Sequence, residues 1–126
     1  MKRISAALLF IALAQGQAPR TMAGRIRIEK TPAGTLRFYP AEIVAWAGDQ
    51  IHWFNATGEI HEPGVIRKDG RFVAFLEEPL AAGAVSAVFS PLARIDRDDK
   101  QIAFTIHYVC GRHRGEQGVI QVIPTP

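Results

Sequence analysis

From residue 25 onward, glycine or proline interrupts the chain every few residues, and no long amphipathic helical period survives between the breaks. What survives is short and β-prone. "RIRIEK" (25–30) alternates basic and apolar residues, the pattern of a half-buried strand. After the turn "TPAG" come "TLRFYP" and "AEIVAWAGDQIHWFN". In the last of these, residues 42–46 and 51–55 are β-prone runs joined through Ala47-Gly48-Asp49-Gln50, a tight strand–turn–strand connection with Gly48 supplying backbone freedom. The middle is less regular, with one further strand expected over 85–89, and "SPLARIDRDDKQ" reads as a solvated charged loop. In "IAFTIHYVC", Ile102, Phe104, Ile106, Tyr108 and Cys110 share one face, and Ala103, Thr105, His107 and Val109 share the other. "GVIQVIP" is a terminal strand stopped by Pro124. Seven or eight short strands at this spacing predict an all-β chain, an antiparallel sandwich or barrel.

The opening "MKRISAALLFIALAQGQAP" has two basic residues, an apolar run from Ile4 to Leu13 and the small-x-small pattern Ala12-Leu13-Ala14. That is the layout of a secretory signal peptide over residues 1–14, too short to span a bilayer. An uncleaved membrane anchor is the alternative. The expected organisation continues with a flexible N-terminal segment (15–24) and one domain (25–126). Cleavage leaves 112 of the 126 residues, enough to bury a core without staples. It also removes Lys2 and Arg3, taking 15 basic side chains to 13 against 12 acidic ones. Nothing then resembles the basic patch that nucleic-acid binding requires. Export sharpens the position of the single cysteine. It has no internal disulfide partner, so it must be buried, cross-linked or ligated.

That cysteine lies in "YVCGRHRGEQGVIQV", where His113 follows Cys110 at three residues and Glu116 follows His113 at three more. Strand parity starts Cys110 near the interior, and a turn through Gly111 can aim His113 at the same point. A thiolate and an imidazole favour copper or zinc over magnesium or calcium. Two ligands do not make a site, and a bare C-x-x-H arises often by chance. His61, in the loop of "WFNATGEIHEPG", is the candidate third corner, although spacing alone favours an ordinary loop histidine. His52 and His107 fall within strands and read as surface or cross-strand residues.

Two segments together resemble the cupredoxins, the plastocyanin and amicyanin type of small copper protein. "FYPAEIVAWAGDQIHWFNATGEIH" is similar to their first half, with a histidine six residues after the asparagine, as in Asn55 and His61. "YVCGRHRGEQGVIQV" is similar to their ending, and the resemblance covers essentially the whole chain after the signal. It implies a cupredoxin-like Greek-key sandwich holding one copper ion, Cu(I) or Cu(II), through His61, Cys110 and His113. Asn55 would tie the His61 loop to the Cys110 loop.

The sequence departs from the family pattern at the axial methionine, where Glu116 stands. Gln117 is a further candidate, a longer-loop alignment puts Gly118 there, Glu62 could add an oxygen, and Met1 and Met22 are remote. The family's docking rim would include Pro63, Gly64 and Gly111, with Arg112 and Arg114 making it cationic for an acidic partner. The implied function is electron transfer by a periplasmic or secreted monomer that is not an enzyme, working with a redox partner protein. Alternatives are a copper carrier supplying an oxidase, a redox-active copper enzyme, and a copper-free interaction module.

Overall fold

The structure, a computed structural model, describes residues 24–126. The expected signal peptide (1–14) and the segment that follows it to residue 23 lie outside the described residues. Ten strands follow in order: β1 (Arg25–Lys30), β2 (Leu36–Tyr39), β3 (Glu42–Trp46), β4 (His52–Asn55), β5 (Pro63–Ile66), β6 (Phe72–Ala74), β7 (Arg94–Ile95), β8 (Gln101–Ile102), β9 (Phe104–Cys110) and β10 (Gln117–Ile123). They form a three-stranded sheet ordered β2-β1-β4, a five-stranded sheet ordered β3-β10-β9-β5-β6, and the small hairpin β7-β8.

Period-two patterning explains the burial. In β1, Ile26 and Ile28 face inward while Arg25 and Arg27 face out; in β10, Ile120 and Val122 face inward. The two inner faces meet over Ile26, Ile28, Phe38, Trp53, Tyr108 and Ile120. Trp53 lies at the centre of an aromatic group, its ring 5.6 Å from Phe75, 5.7 Å from Tyr108 and 6.0 Å from Phe89. Its indole N–H donates to the Tyr108 hydroxyl at 3.3 Å, so the one polar atom of each ring is satisfied inside the core. The chain is an all-β sandwich, and among the described residues no helix is long and apolar enough to cross a membrane.

The strands differ from expectation in three places. The sheets are mixed: β1 runs parallel to β4, and β3 parallel to β10. The tight turn expected at 47–50 is present, and it joins β3 and β4 across different sheets. Gly48, at φ 87°, and the Asp49 carboxylate, which accepts the Trp46 N–H at 2.9 Å, turn the chain from one layer to the other. Residues 85–89 flank β4 without forming a continuous strand, since the Ser86 hydroxyl takes the Trp53 N–H at 2.9 Å that a ladder carbonyl would accept. Ile102 leaves the inner face because β8 pairs only with β7 and stands off the main sheets, leaving that side chain 42% exposed. From Phe104 to Cys110 the expected parity holds, and it carries Cys110 into the end of the sandwich where the β4–β5 and β9–β10 loops meet.

Candidate metal centre

Cys110 is the last residue of β9, and the chain closes on itself immediately after it. The Cys110 N–H donates to the Glu116 carbonyl (3.1 Å), the His113 N–H to the Cys110 carbonyl (3.3 Å), and the Glu116 N–H to the His113 carbonyl (2.9 Å). Three candidate donors thus sit on one closed seven-residue loop. His61 comes from the other side. Its backbone exchanges two hydrogen bonds with Leu80, at 3.1 and 2.8 Å. The next residue is zipped to the cysteine loop: the Glu62 N–H donates to Cys110 Sγ at 3.3 Å, and its carbonyl accepts the Gly111 N–H at 2.8 Å.

These constraints bring four donor atoms within 4.8 Å of one another. His113 Nδ1 lies 3.4 Å and His61 Nδ1 3.8 Å from Cys110 Sγ. Glu116 Oε1 lies 3.1 Å from His61 Nδ1 and 3.5 Å from His113 Nδ1. His61, Cys110 and Glu116 are buried, while the His113 side chain is 25% exposed.

The outer ring nitrogens assign the tautomers. Thr57 spends its single hydroxyl proton on Asn55 Oδ1 at 2.7 Å, so at 2.8 Å from His61 Nε2 it accepts, and His61 carries its proton on Nε2. Glu59 Oε1 lies 3.1 Å from His113 Nε2; its hydrogen bond to Lys30 holds the carboxyl below its usual range, so it is ionised and His113 too must donate from Nε2. Both imidazoles therefore turn bare Nδ1 lone pairs toward the thiol and the Glu116 carboxyl.

Such a group repels itself unless protons or a cation intervene. Burial drives each inner member to its neutral form: His61 is pushed down to about 4, Glu116 up to about 7, and the Cys110 thiol above its ordinary value. Glu116 Oε2 is buried with no hydrogen-bond partner among the described residues. Two imidazole nitrogens, one thiol and one half-satisfied carboxyl fit a thiophilic cation of borderline hardness.

Several expected residues lie elsewhere. Gln117 is exposed on the outer face, lining a groove with Glu42 and His107, and so is not positioned as an axial group. Gly118 is packed under the Tyr108 ring. The Glu62 carboxylate pairs with Arg112 at 3.1 Å instead of joining the group. His107 is exposed, and His52 accepts from Arg25 Nε at 3.4 Å; neither belongs to the site.

Asn55 does not span to the Cys110 loop as expected. Its amide donates to the carbonyls of Glu59 (2.7 Å), Leu80 (3.1 Å) and Ala81 (3.1 Å), bracing the His61 loop against residues 80–81, while the Glu62 backbone provides the link to Cys110. The expected docking rim is also revised. Pro63 and Gly64 are buried, and the Phe72 ring lies over Gly64 and Gly111, so β6 covers that surface. Sequence reasoning missed Thr57 and Glu59. Thr57 could have been found as an Asx-turn partner two residues after Asn55, but nothing local signals Glu59.

No protein-family model matches the chain, and no curated protein matches it in sequence. Solved structures do match in fold. Amicyanin from Paracoccus versutus (Thiobacillus versutus) superposes with a TM-score of 0.56 at 17% identity, covering 82% of this chain and 91% of that one. A purple cupredoxin from Nitrosopumilus maritimus gives 0.58 at 19% identity, covering 79% and 98%. An oxidised amicyanin variant gives 0.57 at 16%, covering 79% and 81%. The chain has the cupredoxin fold. Within that fold, the structures it is similar to include amicyanins and a purple cupredoxin.

Proposed function

We propose that this chain is an exported mononuclear copper protein that carries electrons and catalyses no reaction of its own. The observation that carries the reading is the convergence of two bare imidazole nitrogens, a thiol and a half-satisfied carboxyl in a pocket with one imidazole edge toward solvent. His61, Cys110 and His113 would hold the ion, with Glu116 at the fourth position. Copper there would supply a one-electron couple, and a thiolate with two imidazoles suits both of its oxidation states.

The chain's own residues do the rest. Complete burial of His61 and Cys110 keeps water out. The closed 110–116 loop and the Glu62 backbone hold the donors in place, so little rearrangement opposes a change of charge. His113 offers the exposed edge through which an electron reaches a partner. Once deprotonated, Cys110 and Glu116 carry two negative charges, which balance a divalent ion but leave an excess charge buried beside a monovalent one. Glu116 would therefore favour the oxidised state and lower the potential relative to a neutral ligand at the fourth position. Residues 1–14, as a signal peptide, would place the protein in the periplasm or outside the cell. Arg112 is paired with Glu62, so of the two arginines flanking His113 it is Arg114 that is left to attract an acidic redox partner.

Copper titration followed by visible absorption and electron paramagnetic resonance tests this reading. One equivalent should saturate a thiolate charge-transfer band that Cys110→Ser lacks, and voltammetry should show a reversible one-electron wave. A folded chain with no band sinks the copper reading; a band without a reversible wave sinks electron transfer.

A further inference from the structure

Thr57 and Glu59 stand two residues apart on the loop between β4 and β5, and each reaches the outer nitrogen of a different imidazole. Thr57 Oγ1 is 2.8 Å from His61 Nε2, and Glu59 Oε1 is 3.1 Å from His113 Nε2. The loop itself is fixed. Asn55 Oδ1 accepts the Thr57 N–H at 3.0 Å, the Asn55 amide donates to the Glu59 carbonyl at 2.7 Å, and the Glu59 N–H donates to Thr57 Oγ1 at 3.2 Å. The second Glu59 oxygen lies 3.4 Å from Lys30 Nζ at the end of β1. His61 is also confined by complete burial, whereas His113 keeps a quarter of its side chain in solvent and depends more on this contact.

We propose that Glu59 is a positioning residue for His113, a carboxylate that holds the Nε2–H and so aims Nδ1 into the pocket. The role rests on the copper reading above, although the contact with the ring does not. A carboxylate accepting the remote N–H of a metal-ligating imidazole fixes its tautomer and orientation and strengthens it as a donor. Lys30 directs the carboxylate from the far side. Because Glu59 is well exposed, its value is directional more than energetic. One loop thus braces both histidines from outside: a half-buried hydroxyl serves the inner ring, and a carboxylate serves the outer one.

Glu59→Ala and Glu59→Gln, made in the full chain, test this. Side-chain nitrogen shifts of His113 in the metal-free and Zn(II)-loaded protein should report one Nε2–H tautomer in the parent. Glu59→Ala should give an averaged pair in the metal-free state with His61 unchanged, and Glu59→Gln should restore the single form through its amide oxygen. In the copper-loaded protein, loss of copper to a chelator should be about tenfold faster in Glu59→Ala and partly rescued in Glu59→Gln. Unchanged thermal midpoints of the metal-free variants would separate positioning from general destabilisation. If His113 shifts and copper loss match the parent in Glu59→Ala, the proposal is wrong. If the parent takes up no copper, the copper reading fails on its own, and the His113 shifts still decide whether Glu59 fixes the ring.

Discussion

A carboxyl sealed behind two imidazoles and a thiol is stable in two ways: it keeps a proton or it faces a cation. Burial raises Glu116 to about 7, so at pH 6 the metal-free protein holds that proton, and the raised Cys110 thiol holds another. Copper binding at pH 6 should therefore release about one proton fewer from Glu116→Gln than from the parent, read in a pH-stat. Equal release from both would remove Glu116 from the metal.

In the metal-free chain, His61 and Glu116 act on stability with opposite sign. His61, held down to about 4 from 6.5, is neutral in the fold while the unfolded chain takes up a proton, so stability falls as pH drops from 6.5 to 4. Glu116, held up to about 7 from 4.5, retains a proton that the unfolded chain loses, so its contribution is lost as pH rises from 4.5 to 7. Urea midpoints of the parent should change little between these limits, while those of Glu116→Gln should climb with pH. A second residue-scale test is Asn55→Ala, which withdraws a donor from three carbonyls and should cost about 1–3 kcal/mol in urea unfolding. Cys110, His113 and Glu116 were legible as candidates because one short stretch carries them all. Glu59 was not, because its partner is 54 residues away and only the fold brings them together.

Strand periodicity reports which way a side chain faces and says nothing of which strand lies beside it. Hence the parity of β9 and the inward Cys110 could be read from the sequence, whereas the layer change at 47–50 and the parallel pairings could not. The β5–β6 cover over the site depends on two glycines that differ in what surrounds them. A Cβ at Gly64 would run into the Val73 backbone oxygen, which cannot move without breaking the strand pair, whereas one at Gly111 would meet the Phe72 ring at 2.6 Å, and that ring can turn. Gly64→Ala should be destabilising by about 1–3 kcal/mol by overpacking, and Gly111→Ala by less. Calorimetry of the two variants orders them; the reverse order would mean that the Phe72 ring is the more rigid neighbour.

At the scale of the molecule, the donors tie distant parts of the chain together, since His61 and Cys110 are 49 residues apart. A metal bound there stabilises the folded state as a whole. At a free concentration one hundred times the dissociation constant, the gain is about 2.7 kcal/mol, less whatever the unfolded 110–116 stretch binds by itself. Calorimetry should show a raised melting temperature with copper, abolished by a chelator and absent in Cys110→Ser. His61 was the hardest of the four donors to place from sequence: local spacing left it an ordinary loop histidine, and only the family resemblance joined it to the others.

The place of β10 has a consequence in time. It lies between β3 and β9 in the five-stranded sheet, although its residues follow both in the chain. A ribosome that has delivered the first 116 residues has made every donor, yet the sheet still has an empty lane through its middle and the cysteine hairpin has no second arm. The four side chains can converge as they do in the fold only once that last strand has filled the lane.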